Sequence, residues 1–166
     1  VLKGPQGTLF GRNTTGGAVL INTGNPTDEF HYKVRASVDG PVDEDRGGAN
    51  STVQGVISGP LVEGKLNGKF GVSYNTDAGY FKNLYNGDNH GEAQSTTYRG
   101  ALEFMPTDAL TFLGKLEYTD SRNDGPTGQN RSYYDRYSFD FSIDNPGFGE
   151  SETLFGSLKT DLDVDF

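Results

Sequence analysis

The sequence contains no cysteine and no tryptophan, and its 166 residues include only two histidines and one methionine. Without cysteine the chain has no disulfide framework, no thiolate zinc site, no iron–sulfur cluster and no cysteine nucleophile. It also has no run of about 18 apolar residues, the length of a membrane-spanning helix, and no helical periodicity. Function must therefore reside in strands and in the loops between them.

Positive charge is scarce as well, because 14 Lys and Arg face 23 Asp and Glu, a net charge of −9. Nucleic acid is therefore not an expected partner, since phosphate binding needs clustered positive charge. His31 and His90 stand alone in the sequence, so we expect no metal site, no cofactor, no catalytic residues and no enzymatic activity. The acidic run Asp43-Glu44-Asp45 is compatible with calcium binding, but a solvated loop is the preferred interpretation.

What the sequence does contain is alternation. Apolar residues make up only 33% of the chain, whereas 24 glycines and 20 Tyr and Phe are present. From Phe30 onward, apolar and polar residues alternate with the period of two that marks a strand with one apolar face. The pattern recurs six times and predicts strands over residues 30–38, 52–58, 66–75, 98–104, 110–119 and 154–166.

The connections between these segments alternate in length. Residues 40–49, 77–96 and 121–150 form long polar connections, and residues 60–65 and 106–109 form short turns. Consecutive antiparallel strands place successive connections at opposite ends of a sheet, so one end should carry all the long loops. This asymmetry is typical of outer-membrane barrels. A soluble antiparallel sandwich also alternates, but charges in mid-strand, such as Lys33 and Lys115, favour a barrel with a wet lumen.

The first residues resemble a known family. The run Leu2-Lys3-Gly4-Pro5-Gln6-Gly7-Thr8-Leu9-Phe10-Gly11-Arg12-Asn13-Thr14-Thr15-Gly16-Gly17-Ala18 closely resembles the end of the plug domain in TonB-dependent outer-membrane receptors. The later segments Gly79-Tyr80-Phe81-Lys82-Asn83 and Met105-Pro106-Thr107-Asp108-Ala109-Leu110 also look like this family. The resemblance implies an all-β fold in which residues 1–27 end a plug and residues 28–166 begin a transmembrane β-barrel. We expect six strands of a barrel of about 22, within a longer protein.

The resemblance also implies a function. Receptors of this family sit in the outer membrane of Gram-negative bacteria and import a scarce nutrient, most often a ferric siderophore, when TonB delivers the proton-motive force to the plug. The implied partners are TonB, through a segment that precedes this sequence, outer-membrane lipid and the nutrient ligand. Two alternatives remain open: a passive porin-like or adhesin-like barrel, and a soluble carbohydrate-binding sandwich.

Two groups of residues are candidates for a role in that function. The first consists of turn and packing residues in the plug segment: Gly4, Pro5, Gly7, Gly11, Arg12, Gly16 and Gly17. The glycines allow tight turns, and Arg12 either pairs with a carboxylate of the barrel wall or is solvated. A phosphate-binding loop is not expected, because Gly17-Ala18 replaces the required Lys-Ser/Thr.

The second group lies in the third long loop and mixes aromatic rings with guanidinium groups. Such a combination can stack on and pair with an anionic iron chelate or a flat organic ligand. The alternative is a loop core that folds over the barrel mouth. The candidate ligand contacts are Arg131, Tyr133, Tyr134, Arg136 and Tyr137.

Overall fold

The fold consists of strands and connecting loops. The computed structural model describes residues 2–3, 17–18, 23–41, 46–135 and 137–164. Its strands are β1 (Leu2–Lys3), β2 (Gly17–Ala18), β3 (His31–Asp39), β4 (Asn50–Val62), β5 (Leu66–Asn83), β6 (Asn89–Thr107), β7 (Leu110–Asp124), β8 (Asp140–Phe141) and β9 (Phe148–Leu162). None of the described residues is helical, so the predicted all-β class is confirmed.

Seven of these strands form one sheet. Six long strands follow one another in the order β3-β4-β5-β6-β7-β9, and every neighbouring pair is antiparallel. The short β8 lies outside this order and pairs in parallel with the far end of β5. The two-residue strands β1 and β2 pair with each other in a separate small sheet. The prediction of six consecutive antiparallel strands from residue 30 onward is therefore confirmed.

The strands are longer than the alternating pattern predicted. At one end of the sheet the connections are only residues 63–65 and 108–109; at the other they are residues 40–49, 84–88 and 125–147. The last strand begins at Phe148 instead of residue 154 and ends at Leu162. We call the two ends of the sheet the turn end and the loop end.

The prediction of a long connection over residues 77–96 was wrong. β5 runs on to Asn83 and β6 begins at Asn89, so a five-residue turn joins two paired strands. The dipeptide Asn86-Gly87 in this turn is a strong short-range hairpin signal, and Gly87 has the positive φ of 83° that such a turn uses. The polar composition of the segment had concealed the pairing, because both faces of this hairpin carry polar residues.

A bulge interrupts the β5–β6 ladder between Ala78 and Phe81. Gly79 lies in it with a φ of 69°, a conformation that costs an L side chain about 1 kcal/mol or more. A Cβ atom at this position would also lie only 2.5 Å from the His90 carbonyl oxygen. Glycine is therefore required here by both backbone conformation and space.

The sheet has almost no core of its own. Among the described residues only Leu113 and Phe141 are buried hydrophobic side chains, whereas Val34 and Leu158 are each 75% exposed. The only other sheet among the described residues is the two-residue pair of β1 and β2. With so few buried side chains, the long strands are held together mainly by main-chain pairing and by contacts between neighbouring side chains.

We expect Gly79→Ala to destabilise the loop end of the sheet by roughly 1–3 kcal/mol, because it adds both a strained φ and a clash with the His90 carbonyl. The matched control is Gly128→Ala, since Gly128 has open space for a Cβ and no positive φ. The free energy of unfolding of both variants would be measured by denaturant titration in detergent. Equal stability of the two variants would contradict the assignment of the bulge.

Candidate functional site

The register of the ladder divides the side chains into two faces. Residues that lie opposite one another across the strands point to the same side, so each row across the sheet belongs to one face. One such row contains Val34, Gly55, Val72, Tyr98, Tyr118 and Leu154, and the next row along the strands contains Arg35, Gln54, Ser73, Thr97, Thr119 and Thr153. We call these the apolar face and the polar face.

The apolar face is uncharged over the same length on several strands, and the stretch on β5 reaches one row farther toward the loop end than those on β7 and β9. On β5, β7 and β9 this uncharged band runs over residues 66–74, 110–118 and 154–162, which is nine residues in each strand. Its only hydroxyl residue other than tyrosine on these strands is Thr160. The next position of this face toward the loop end carries charge on two neighbouring strands, where Asp120 lies opposite Glu152.

Paired aromatic rings mark both borders of this band. Tyr98 and Tyr118 lie opposite each other at the border of the band toward the loop end and stack with ring centroids 6.5 Å apart. Phe104 and Phe112 do the same near the turn end, at 6.4 Å. The tyrosines thus stand beside the charged border and the phenylalanines beside the tight turns.

Glycines leave the middle of the apolar face with few side-chain atoms. An added Cβ at Gly100 or Gly114 would meet no atom within 4 Å. A groove of about 720 Å³ crosses the face at this level and is flanked by larger side chains such as Phe70, Leu102 and Leu116.

The polar face holds a segment of the chain itself. Lys115 donates to the carbonyl oxygen of Thr23 (2.7 Å) and Lys69 to that of Gly24 (3.1 Å). Farther along, both the main-chain N–H and the hydroxyl of Thr27 bond to the Ser58 hydroxyl (3.0 and 2.8 Å). Segment 23–29 therefore crosses the polar face near the turn end, from β7 over β5 and β4, before β3 begins.

A buried amide fixes the end of this crossing. Asn67 is 1% exposed and donates to Asp28 Oδ1 (2.7 Å) and to Glu103 Oε2 (3.5 Å). Pro26 is also buried. The chain that enters β3 is thereby tied to the neighbouring strands by side chains of the polar face.

At the loop end, the β5–β6 hairpin is covered by part of the 125–147 connection. We call this region, residues 78–92 with residues 138–143, the crown. Lys82 N–H donates to the Phe139 carbonyl (3.1 Å) and Leu84 N–H to the Phe141 carbonyl (2.8 Å). The Phe139 ring packs edge-on against Tyr80, with centroids 5.1 Å apart.

Asn83 anchors the crown. Its side chain is buried, its Nδ2 donates to the Ile143 carbonyl (2.8 Å), and its Oδ1 accepts from the N–H groups of Tyr85 (3.1 Å) and Ile143 (3.2 Å). One amide thus satisfies both the turn of the hairpin and the connection above it. An ion pair between Arg46 and Asp140 (2.7 Å) joins the 40–49 connection to the same place.

His90 forms a second anchor, against β7. The ring is 3% exposed, its Nε2 lies 2.9 Å from the Gly125 carbonyl oxygen, and its Nδ1 lies 3.4 Å from Asp124 Oδ2. Asp124 Oδ2 also accepts the N–H groups of Gly91 and Glu92. The ring of Phe141 covers the imidazole at a centroid distance of 4.9 Å.

Sequence reasoning missed these anchors, because it weighed His90 only as a metal ligand and did not single out Asn67 or Asn83. No local signal marks Asn67, whose partners lie 36 and 39 residues away. For Asn83 the signal was available, since it precedes the Asn86-Gly87 hairpin turn.

The predicted ligand contacts are only partly brought together. Tyr133 and Tyr137 are highly exposed, at 82% and 73%, and Arg131 is also exposed, whereas Tyr134 is half-buried. The N–H groups of Tyr133 and Tyr134 both donate to the Asn130 carbonyl, which forms a turn. These side chains stand on the loop surface, and none of them lines the groove of the apolar face or the cavity of the polar face. Arg136 lies outside the described residues.

Almost all candidate residues of the plug segment lie in the part of the chain that the structure does not describe. Gly4, Pro5, Gly7, Gly11, Arg12 and Gly16 lie outside the described residues, as do Asp43, Glu44 and Asp45. Gly17 lies in β2, opposite Lys3. The roles predicted for these residues, and the boundary between residues 27 and 28, stay predictions.

A cavity of about 380 Å³ lies on the polar face near the loop end. Its lining includes amide, hydroxyl and carboxylate side chains from β3 to β7. In contrast, the described ranges contain no group of three His, Asp or Glu side chains that could hold a metal ion. The same ranges contain no helix long and apolar enough to cross a membrane.

Comparisons with known proteins add nothing to this geometry. No protein-family model matches the chain, and no solved structure matches it.

We expect Asn83→Ala to release the crown, because it leaves the Ile143 carbonyl and two N–H groups without their partner, at a cost of about 1–3 kcal/mol. Hydrogen exchange of residues 139–143 should accelerate by about tenfold or more. Asn86→Ala is the matched control, since Asn86 is exposed at the tip of the same hairpin and its side-chain bonds are confined to Asp88. Unchanged exchange in Asn83→Ala would contradict the role of this anchor.

A second variant tests the crossing of segment 23–29. Asn67→Leu preserves the size of the side chain but leaves Asp28 without its buried donor, so exchange of the N–H groups of residues 27–29 should accelerate several-fold. Asn75→Leu on the same strand and face serves as the control, because Asn75 bonds only to Ser73 and Ser95. If the N–H groups of residues 27–29 exchange at the same rate in both variants, the segment is not held by Asn67.

Proposed function

We propose that this chain forms part of the wall of an outer-membrane receptor barrel that imports a scarce nutrient. In this arrangement the apolar face lies against lipid, the polar face lines the lumen, and the crown faces the exterior. The turn end then faces the periplasm, in keeping with the short periplasmic turns and longer outer loops of such barrels.

The observation that carries the proposal is the nine-residue uncharged band on the apolar face. A strand that crosses the hydrocarbon core of a bilayer needs about 9–11 residues, and three strands provide the same length independently. In water this exposed surface would be a severe aggregation hazard. The aromatic pairs at the borders occupy the positions at which membrane barrels carry aromatic girdles.

The edges of the sheet support a closed barrel as its setting. Within the described residues, β3 pairs only with β4 and β9 pairs only with β7. Each therefore presents unpaired N–H and C=O groups, which are costly in lipid and have to be satisfied by further strands.

Segment 23–29 favours a gated receptor over a passive pore. It crosses the polar face, so its first residue, Thr23, lies on the lumen side of the proposed wall. A plug in the lumen has to connect to the barrel wall along such a path over the inner face, whereas a passive pore does not require one. TonB as the energising partner and a ferric siderophore as the nutrient stay predictions from the family resemblance.

We expect Leu116→Lys to abolish or strongly reduce the folded protein in the outer membrane. Leu116 is 56% exposed in the middle of the apolar band, and a lysine near the bilayer midplane costs about 2–4 kcal/mol. Thr153→Lys, on the polar face of the neighbouring strand β9, is the control and should change stability little, because Thr153 is exposed. The measurement is the heat-modifiable electrophoretic band of the full-length protein in outer-membrane fractions.

Recovery of the wild-type protein as a folded monomer in buffer without detergent would overturn the membrane location. Equal tolerance of the two lysine variants would overturn the assignment of the faces.

A further inference from the structure

We propose that the cavity at the loop end of the polar face is a binding site for a neutral, hydroxyl-rich ligand, that is, a carbohydrate. Its access from the exterior rests on the proposed function. This ligand class differs from the anionic iron chelate that the loop residues led us to expect.

The cavity exists because the middle strand carries small side chains. Ala93 and Ser95 of β6 form its floor, between lining residues on both neighbouring strands. Asn75 and Asp77 of β5 lie opposite them on one side, and Ser121 and Asn123 of β7 on the other. Asp39, Asn50 and Thr52 extend the lining toward β3 and β4. The volume of about 380 Å³ lies at the lower end of the range for small-ligand pockets.

The lining offers the chemistry that sugar hydroxyls need. A hydroxyl both donates and accepts hydrogen bonds, and amide side chains provide both functions while carboxylates accept. Asp77 uses Oδ1 to accept the Gly79 N–H (2.9 Å), and Asn75 and Asn123 use Nδ2 for neighbouring protein oxygens. No hydrogen bond in the described part of the chain occupies Asp77 Oδ2, so this oxygen remains available to a ligand.

Charge argues against an anion at this position. On the polar face, the two rows that line the cavity carry Asp39 and Asp77 and no cationic side chain. Arg122, the one cation among the lining residues, belongs to the other face by register, pairs with Glu150 (3.7 Å) and lies over the Phe148 ring. An anionic chelate would therefore meet two carboxylates of like charge, which repel it.

The rest of the polar face has the opposite character. Its rows between the cavity and the turn end carry six cations, Lys33, Arg35, Lys69, Arg99, Lys115 and Lys159, against Glu103, Glu117 and Asp161. The cationic side chains of this face thus lie in the rows outside the cavity. The exposed rings of Tyr85, Tyr133 and Tyr137 stand at the same end of the sheet and can stack on the C–H faces of sugar rings.

The test is binding of the detergent-solubilised, full-length protein to an array of neutral and acidic oligosaccharides, with a ferric tris-catecholate in a parallel titration. We expect retention by neutral glycans and no saturable binding of the trianionic chelate. The strongest neutral glycan then serves as the probe in calorimetric titrations of the variants.

Ala93→Arg fills the floor of the cavity and should lower the affinity for this glycan by at least about tenfold. Asp77→Asn preserves the bond to the Gly79 N–H and should lower the affinity for the glycan several-fold. Thr153→Arg is the control, because Thr153 lies on the same face of β9 outside the cavity, and its affinity should stay within about twofold of the wild type. Melting temperatures confirm that all three variants fold.

Absence of neutral glycan binding, binding of the chelate alone, or glycan binding that Ala93→Arg leaves intact would each overturn the proposal. Failure here with the protein still in the outer membrane leaves the receptor function standing. Recovery of the protein without detergent would instead remove the receptor function, whatever glycans it binds.

Discussion

The whole structure depends on the in-register pairing of six antiparallel strands. Pairing satisfies the main-chain N–H and C=O groups, and it also decides which side chains share a face. A slip of one residue between β6 and β7 would turn Tyr118 and Leu116 to the polar side and bring Lys115 and Glu117 into the apolar band. Because only two hydrophobic side chains of the described residues are buried, little core is present to correct such an error. The band, the polar cavity and the path of segment 23–29 all follow from this one register.

The residues that lock the register are therefore of particular interest. Main-chain pairing alone is nearly indifferent to sequence, whereas stacked rings and cross-strand side-chain bonds are specific to one alignment. Tyr98 against Tyr118, and Thr97 bonded to Thr119 (3.0 Å), act on the two faces of the same pair of strands. An Arg99–Glu117 ion pair lies one row away. Together they define the alignment of β6 and β7 near the middle of the sheet.

Much of this architecture was predictable from the sequence, for a physical reason. The period of two is a local property, so the six strands and their faces could be derived from residues close together in the chain. The extension of β5 and β6 was missed because polar residues on both faces remove that period, although Asn86-Gly87 indicated a turn. The pairing of β8 with β5, the anchoring by Asn83 and the bond from Asn67 to Asp28 join residues some 40 to 60 positions apart, and no local pattern encodes them. The tyrosines of the third loop were predicted as ligand contacts, which stays a prediction, and only the register reveals the cavity beside β6.

The path of segment 23–29 also determines the order in which its contacts bear a pulling force. A pull on the chain before Thr23 acts along the polar face, across the strands and roughly at right angles to them. It loads the bonds of Lys115 and Lys69 to main-chain carbonyls one after another, and then those of Ser58 and Asn67, before it reaches the nine paired residues of β3. The contacts of the segment are thus loaded before the β3–β4 ladder is.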